Sequence, residues 1–357
     1  MSAVRYDYID IAKGLGILMV VWAHIMITGW THQFIYAFHM PLFFLLSGML
    51  FKKEKYTSFG SFVAHRAKRL LVPYVVYSVL TWAFWAAFRY LRHDEVDSYL
   101  IPLLQTFIAQ GSGAFMVHNS ALWFVPCLFL TELLYFFLYG MGKWGCLIGC
   151  FGGAALSFML GGVFGDRWWF LLPWNADAAL IALPFYCIGN MLSTEMGHGK
   201  MVTAVQENKS AWLLACAIIT IPFFWSATSF GECSMGSSSY QCQPWVFMLR
   251  AFLGCGWLVC LSLLISAIPH LNKIWSVPVN YLKWAGINSL DIMCLHIPVK
   301  GVCMIGVAMA LQTTVDAVGS HESFSALPFI LTMMIVWMVI RLFPVGRITQ
   351  NLDFRTR

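Results

Sequence analysis

Charge is scarce in this chain. Only 11% of its 357 residues are charged and 60% are hydrophobic, for a mean hydropathy of +0.72. A soluble domain of that length has no use for so much apolar surface, so the composition points to a multi-spanning membrane protein. Other absences narrow the function. The chain has no CxxC pair, no phosphate-binding glycine loop and no dinucleotide fingerprint, which removes common redox, nucleotide-hydrolysing and hydride-transfer signatures. No internal repeat, low-complexity tract or soluble appendage is visible. The first apolar stretch does not read as a cleavable signal peptide. It carries Asp7, Asp10 and Lys13 near its start, lacks a small-residue cleavage site and runs straight into a second stretch.

What is present is apolar sequence in lengths that suit a bilayer, which takes about twenty residues of helix to cross. Ten spans are expected, at 9–28, 34–51, 70–90, 121–140, 145–163, 176–192, 211–230, 246–267, 287–311 and 326–343. The fold class is therefore an all-α integral membrane protein of about ten transmembrane helices, read as one multi-pass domain over 1–357. Residues 98–110 are apolar but too short to cross, and read as interfacial or re-entrant. Gly145, Gly149 and Gly153 recur at four-residue spacing, a pattern that suits close helix packing.

Basic residues set the orientation. With the N-terminus in the cytoplasm, 17 of the 22 Lys and Arg fall on that side, six of them within 52–69. The other five are Arg89, Arg92, Arg167, Arg250 and Lys300. Both termini are thus expected to be cytoplasmic. The net charge of +6 then reports topology and an anionic cytosolic ligand rather than a nucleic acid. The eleven cysteines lie mainly in the spans, where a thiol serves as a small hydrophobe. The exception is the external loop GECSMGSSSYQCQ, whose Cys233 and Cys242 would pair if it faces an oxidising compartment.

Ionisable side chains inside a span are costly and tend to mark functional sites. Here they are Lys13, His24, His39, Glu132, Asp177, Arg250, Asp291, His296 and Lys300. Asp10 and His24 are fourteen residues apart, roughly 21 Å along one helix, so Asp10 cannot orient His24 directly. His24 lies near the outer end of the first span, and His39 about 8 Å into the second, which runs the other way. The two imidazoles are therefore expected at similar depth, where Asp177 and Arg250 reach the same layer. His32 falls in the short external loop and reads as a solvated residue. A histidine near a helix end also reaches the interface with no further role, and that reading stays open for both His24 and His39. His296 and Lys300, four apart on one face, fit a structural contact as well as a site. Asp291 reads as interfacial. For Glu132, near mid-membrane, a purely structural role is harder to sustain. Zinc suits the ligand type of His24, His32 and His39, yet intervals of 8 and 7 residues across a loop match no metal motif. No metal is expected.

Several segments together resemble the membrane-bound acyltransferase-3 family, close to its fucose 4-O-acetylase-like branch. The similarity begins at YDYIDIAKGLGILMVVWAH, where the family pattern places an Asp, a basic residue and a His at Asp10, Lys13 and His24. Lys13 stands where Arg is commoner, keeping the charge but losing the bidentate fork. It continues through FHMPLFFLLSGMLF, through RAKRLLVPYVVYS with Arg66, Arg69, Pro73 and Tyr74, and through ALWFVPCLF and NSLDIMCLH. Many relatives that acylate surface polysaccharides carry a Glu shortly after the Trp matching Trp123. Here Val125, Pro126 and Cys127 follow instead, and Glu132 is too far along to be equated with it.

The resemblance implies transfer of an acyl group, usually acetyl from acetyl-CoA, to a hydroxyl on a sugar or cell-surface glycan in the bacterial cytoplasmic membrane. The family His would be the catalytic base, hence His24, with His39 as its neighbour. A sugar hydroxyl is a poor nucleophile until a base takes its proton, and imidazole suits that task. The thioester carbonyl gains negative charge that Arg250 or Lys300 would stabilise. Arg66 and Arg69, with Lys68 and Lys13, would hold the CoA phosphates, although the positive-inside rule alone also explains a basic loop. The donor must then reach from the cytosol to the outer half of the membrane through an internal channel. Acceptor recognition is expected in external loops 89–120 and 231–245, and the oligomeric state is left open. Ten spans with buried charges also fit a transporter or exporter of saccharide or acylated polymer. The absence of an inverted repeat and of paired Gly/Pro-broken helices weighs against it. A membrane domain serving an attached catalytic module is a third option, weakened because no such module is visible.

Overall fold

The structure, a computed structural model, describes residues 5–111, 115–164, 172–268, 273–343 and 345. Arg167 and the arginines beyond Arg341 lie outside the described residues. The chain opens with α1 (Asp7–Ile25), α2 (Trp30–Tyr36) and α3 (His39–Met49), followed by the long α4 (Phe59–Leu91) and the short α5 (Leu100–Leu104). A 3-10 turn at Ser120–Trp123 leads into α6 (Phe124–Tyr139), then α7 (Gly142–Phe164), α8 (Ala176–Glu195), α9 (His198–Glu207) and α10 (Lys209–Ser229). A small hairpin of β1 (Cys233–Ser234) and β2 (Ser239–Tyr240) pairs Cys233 with Tyr240 and Ser234 with Ser239. The chain continues through α11 (Pro244–Ser266), α12 (Lys273–Ile287), α13 (Ser289–Ala310), α14 (Val315–Ser320) and α15 (Glu322–Leu342).

Among the described residues, nine helices are long and apolar enough to cross a membrane, namely α1, α4, α6, α7, α8, α10, α11, α13 and α15. The protein is an all-α integral membrane protein. Outward faces of α7 and α10 carry exposed Trp144, Ile148, Val163, Ile221 and Trp225, as lipid contact requires.

The second expected span, 34–51, is not one helix. It breaks at Ala37 and Phe38 into α2 and an eleven-residue α3. Pro41 accounts for the break, because in a continuous helix its ring would clash with the Ala37 carbonyl and it has no N–H to donate. In the first turn of a new helix the missing N–H costs nothing. Two expected loops are helical instead. Helix α4 starts at Phe59 rather than 70, because Ser58 closes a capping box with Ser61, each hydroxyl accepting the other's backbone N–H at 3.1 Å. The 268–286 segment forms most of α12, which packs along α1. Segment 98–110 folds as α5 and a 3-10 turn, too short to cross.

Helix α1 lies at the centre, packed against α3, α11, α12, α13 and α15, while α3 lies against α8. In lipid the hydrophobic effect does not drive helices together, so association rests on close packing. The closest approaches are reciprocal. A Cβ on Gly14 would collide with the Leu282 carbonyl of α12, and one on Gly286 with the Asp10 carbonyl of α1. Gly48 and Gly189 do the same for α3 and α8, against the carbonyls of Tyr186 and Leu45. The stripe of Gly145, Gly149 and Gly153 meets only side chains, such as Leu138 and Leu183, so it is not where helix backbones touch.

Candidate functional site

Histidine ring orientation is set by the backbone. At the end of α1, His24 Nδ1 lies 2.8 Å from the Val20 carbonyl, and at the start of α3, His39 Nδ1 lies 2.8 Å from the Ile35 carbonyl. A carbonyl only accepts, so Nδ1 carries the proton in both rings and Nε2 is left as the basic nitrogen. His24 and His39 line one cavity of about 310 Å³. His296 of α13 stands beside it, its ring edge-on to His24 with centroids 5.0 Å apart. Its Nδ1 also faces backbone carbonyls, Met293 at 2.8 Å and Ile292 at 3.1 Å, and its buried Nε2 has no partner among the described residues. Lys300 donates to the His24 carbonyl at 2.6 Å. It therefore satisfies one of the free carbonyls at the end of α1 and fixes that helix end against α13.

Three expectations change here. His32 is not solvated: it sits in α2, 7% exposed, with Nδ1 3.2 Å from the Glu232 carboxylate and its ring stacked on Tyr36 at 4.1 Å. Asp177 and Arg250 do not line the histidine cavity. Both are buried and hold the loop that covers it. Arg250 donates to the carbonyls of Gly231 at 3.0 Å and Phe230 at 3.5 Å, and Ser238 donates to Asp177. Asn175 completes the clamp by donating to the Gly236 carbonyl at 2.8 Å and accepting from the Gly111 N–H. A buried charge needs partners, and here the partners are loop backbone and a serine rather than substrate.

A second cavity, about 760 Å³, opens toward the other end of α1. Lys13, Arg66 and Arg69 all line it, with Lys52, Lys55 and His65. Arg66 forms a bidentate pair with Glu132 of α6, which is 1% exposed. Glu132 is therefore the counter-ion of Arg66, and the residue expected to lack a structural role has one. Asp10 lines neither cavity, its backbone closing instead on Gly286. Asp291 is buried rather than interfacial, accepting from Tyr77 of α4 at 2.7 Å. The two cavities share three lining residues, Ile17, Phe43 and Met293. They therefore meet end to end, and these three side chains form the partition.

A pair of cavities, one cationic and one lined by imidazoles with a free basic nitrogen, suits transfer between an anionic donor and a neutral nucleophile. A family model described as an acyltransferase domain matches residues 6–342. The chain belongs to the acyltransferase-3 family. No curated protein and no solved structure matches it significantly. For an acyltransferase the residues missed by sequence reasoning are the ones distant in the chain. They are the partition of Ile17, Phe43 and Met293, the cavity residue Tyr36, and Glu232 in the covering loop. Only Glu232 carried a signal, as the one acid in the external loop GECSMGSSSYQCQ. Trp123 lines the histidine cavity, its ring against Gly111 and Gly236.

The acyltransferase's cysteines sort by place. Cys233 and Cys242, at the two ends of the covering hairpin, are free thiols with sulfurs 3.0 Å apart. Cys146, Cys150 and Cys187 are buried between α7 and α8 with sulfurs within 4.8 Å of one another, away from both cavities.

Proposed function

We propose that this membrane acyltransferase moves an acetyl group from acetyl-CoA to a hydroxyl of a sugar or cell-surface glycan, with His24 as general base. The observation that carries the reading is the junction of the two cavities at Ile17, Phe43 and Met293. From Lys13 to His24 is about 16 Å along α1, a distance suited to the pantetheine arm of CoA. Its phosphates would lie against Lys13 and Arg69, with Arg66 beside them in its pair with Glu132, since guanidinium matches phosphate geometry. The excess of basic residues at this end supports a cytosolic donor by the positive-inside rule, in a bacterial inner membrane if the chain follows the glycan-modifying branch it resembles.

Chemistry at the far end follows from the tautomer. Nε2 of His24 takes the proton from the acceptor hydroxyl as the oxygen attacks the thioester carbonyl. The imidazolium then returns that proton to the departing CoA sulfur, and the ester remains on the sugar. The Val20 carbonyl holds Nδ1–H and so keeps Nε2 basic. Neither Arg250 nor Lys300 lines the histidine cavity, so neither is placed to hold the developing oxyanion. Groups on the cavity wall, such as the Ser120 and Ser237 hydroxyls, are closer to that task.

Purified protein given acetyl-CoA and a glycoside should release CoA only when both are present. His24→Ala should abolish release while acetyl-CoA still binds, and full activity in that variant would end the proposal. One observation favours a second reading, export of a saccharide or acylated polymer: the broken α2–α3 span lies at the cavity, as in carriers that bind substrate at helix breaks. Saccharide movement in proteoliposomes without CoA consumption would decide for export.

A further inference from the structure

The covering loop between α10 and α11 supplies much of the histidine cavity's wall, from Glu232 to Ser237. Arg250, Asp177 and Asn175 clamp it from below, so its position is set by the fold rather than by a ligand. Among the cavity's lining residues Glu232 is the single group ionised at neutral pH, and none is a lysine or arginine. Lys300 donates to the His24 carbonyl and Arg250 Nη1 to the Gly231 and Phe230 carbonyls, and neither side chain lines the cavity. The hydrogen bond from His32 holds the Glu232 carboxyl below its ordinary range, and this outweighs the opposing effect of partial burial. That contact is made by Oε2, 3.2 Å from His32 Nδ1.

We propose that Glu232 is the acceptor-binding residue: its carboxylate takes hydrogen bonds from hydroxyls of a neutral sugar and aims a neighbouring hydroxyl at His24, and the cavity turns away anionic sugars. This rests on the O-acyltransferase reading. An ionised carboxylate only accepts, and hydroxyls only need to donate to it, so a polyol satisfies Glu232 where a second carboxylate repels it. A uronic acid or phosphorylated sugar would be desolvated beside Glu232 with no counter-ion on the wall, which is costly for a buried charge. Size points the same way. About 310 Å³ is at the bottom of the range for small-molecule sites, about 300–1,000 Å³, and takes one sugar ring rather than a chain. Helix α6 contributes no acid to this cavity, its Glu132 being paired with Arg66 in the other. The loop acid is thus the carboxylate that faces the acceptor.

The test uses purified full-length protein, acetyl-CoA, and two sets of acceptors, methyl glycosides of neutral sugars and the matching methyl uronides, reading CoA release. Wild-type protein should use neutral glycosides at least tenfold better in kcat/KM than uronides. Glu232→Gln should raise the KM for the neutral glycoside tenfold to hundredfold while the KM for acetyl-CoA stays within twofold, which also shows that the variant is folded. Uronides used equally well by the wild type, or an acceptor KM unmoved in Glu232→Gln, would overturn this assignment and leave the transferase reading standing. A wild-type protein that releases no CoA with any glycoside would overturn both.

Discussion

A side chain's role in this protein depends on what its polar atoms already touch. Three imidazoles have Nδ1 at a backbone carbonyl, which presents Nε2 as the basic atom. With His24 as the proposed base, His24→Gln should lower turnover by about 10²–10⁴-fold with acetyl-CoA binding intact, as read by single-turnover CoA release and by a binding assay. Arg66 and Glu132 are a buried pair, so Arg66→Ala leaves a carboxylate alone in the interior. That costs about 3–5 kcal/mol, whereas replacing both partners with apolar residues of similar size recovers most of it. Thermal unfolding in detergent should therefore show Arg66→Ala well below both the wild type and Arg66→Met/Glu132→Leu. The charged residues were easy to find in the sequence because they interrupt apolar runs. Their partners were not, since Arg250 reaches back nineteen residues to Gly231 and Asp177 reaches forward sixty-one to Ser238. Spacing fixes depth along one helix but says nothing about which way a long side chain turns.

At the scale of elements, two breaks position the site. Pro41 ends the would-be second span, and His39 becomes the first residue of α3. That break was legible in the sequence through the clash a mid-helix proline makes, yet hydropathy alone hides it because both halves are apolar. The Ser58–Ser61 capping box that carries α4 back to Phe59 was not legible, since Ser61 stands where the usual pattern has Glu or Gln, and it turns an expected loop into the helix that displays Arg66 and Arg69 on one wall. The partition was not legible, because Ile17, Phe43 and Met293 come from three helices and look like ordinary membrane residues. If acyl transfer crosses it, Met293→Trp should cut kcat more than tenfold and leave the KM for acetyl-CoA nearly unchanged, measured in steady-state assays. Where α3 and α8 meet, Gly48→Ala places a methyl against the Tyr186 backbone, which has no room to give. A loss of about 1–3 kcal/mol follows, seen as a lower unfolding temperature.

At the scale of the whole molecule, the nine long helices among the described residues would by themselves put the termini on opposite faces. Termini on one side, as the basic residues lead one to expect, require α3 as a further crossing. His39 lines one cavity and Leu50 to Lys52, just past its end, line the other, so this short helix with its flanks runs from one cavity to the other. Reporters fused at either terminus should then read the same compartment, and one inserted at Asp94 or His321 the opposite one. Nine of the ten spans expected from hydropathy are long helices among the described residues, and 34–51 is not. The account as a whole stands on a donor and an acceptor meeting at His24 from two connected cavities. It is tested most directly by giving wild-type and His24→Gln protein acetyl-CoA and a neutral methyl glycoside and following both products. The account predicts acetylated glycoside and free CoA in equal amounts from the wild type, and at least a hundredfold less of each from the variant. Equal CoA release by the two proteins, or glycoside carried across a membrane with no CoA released, would contradict it.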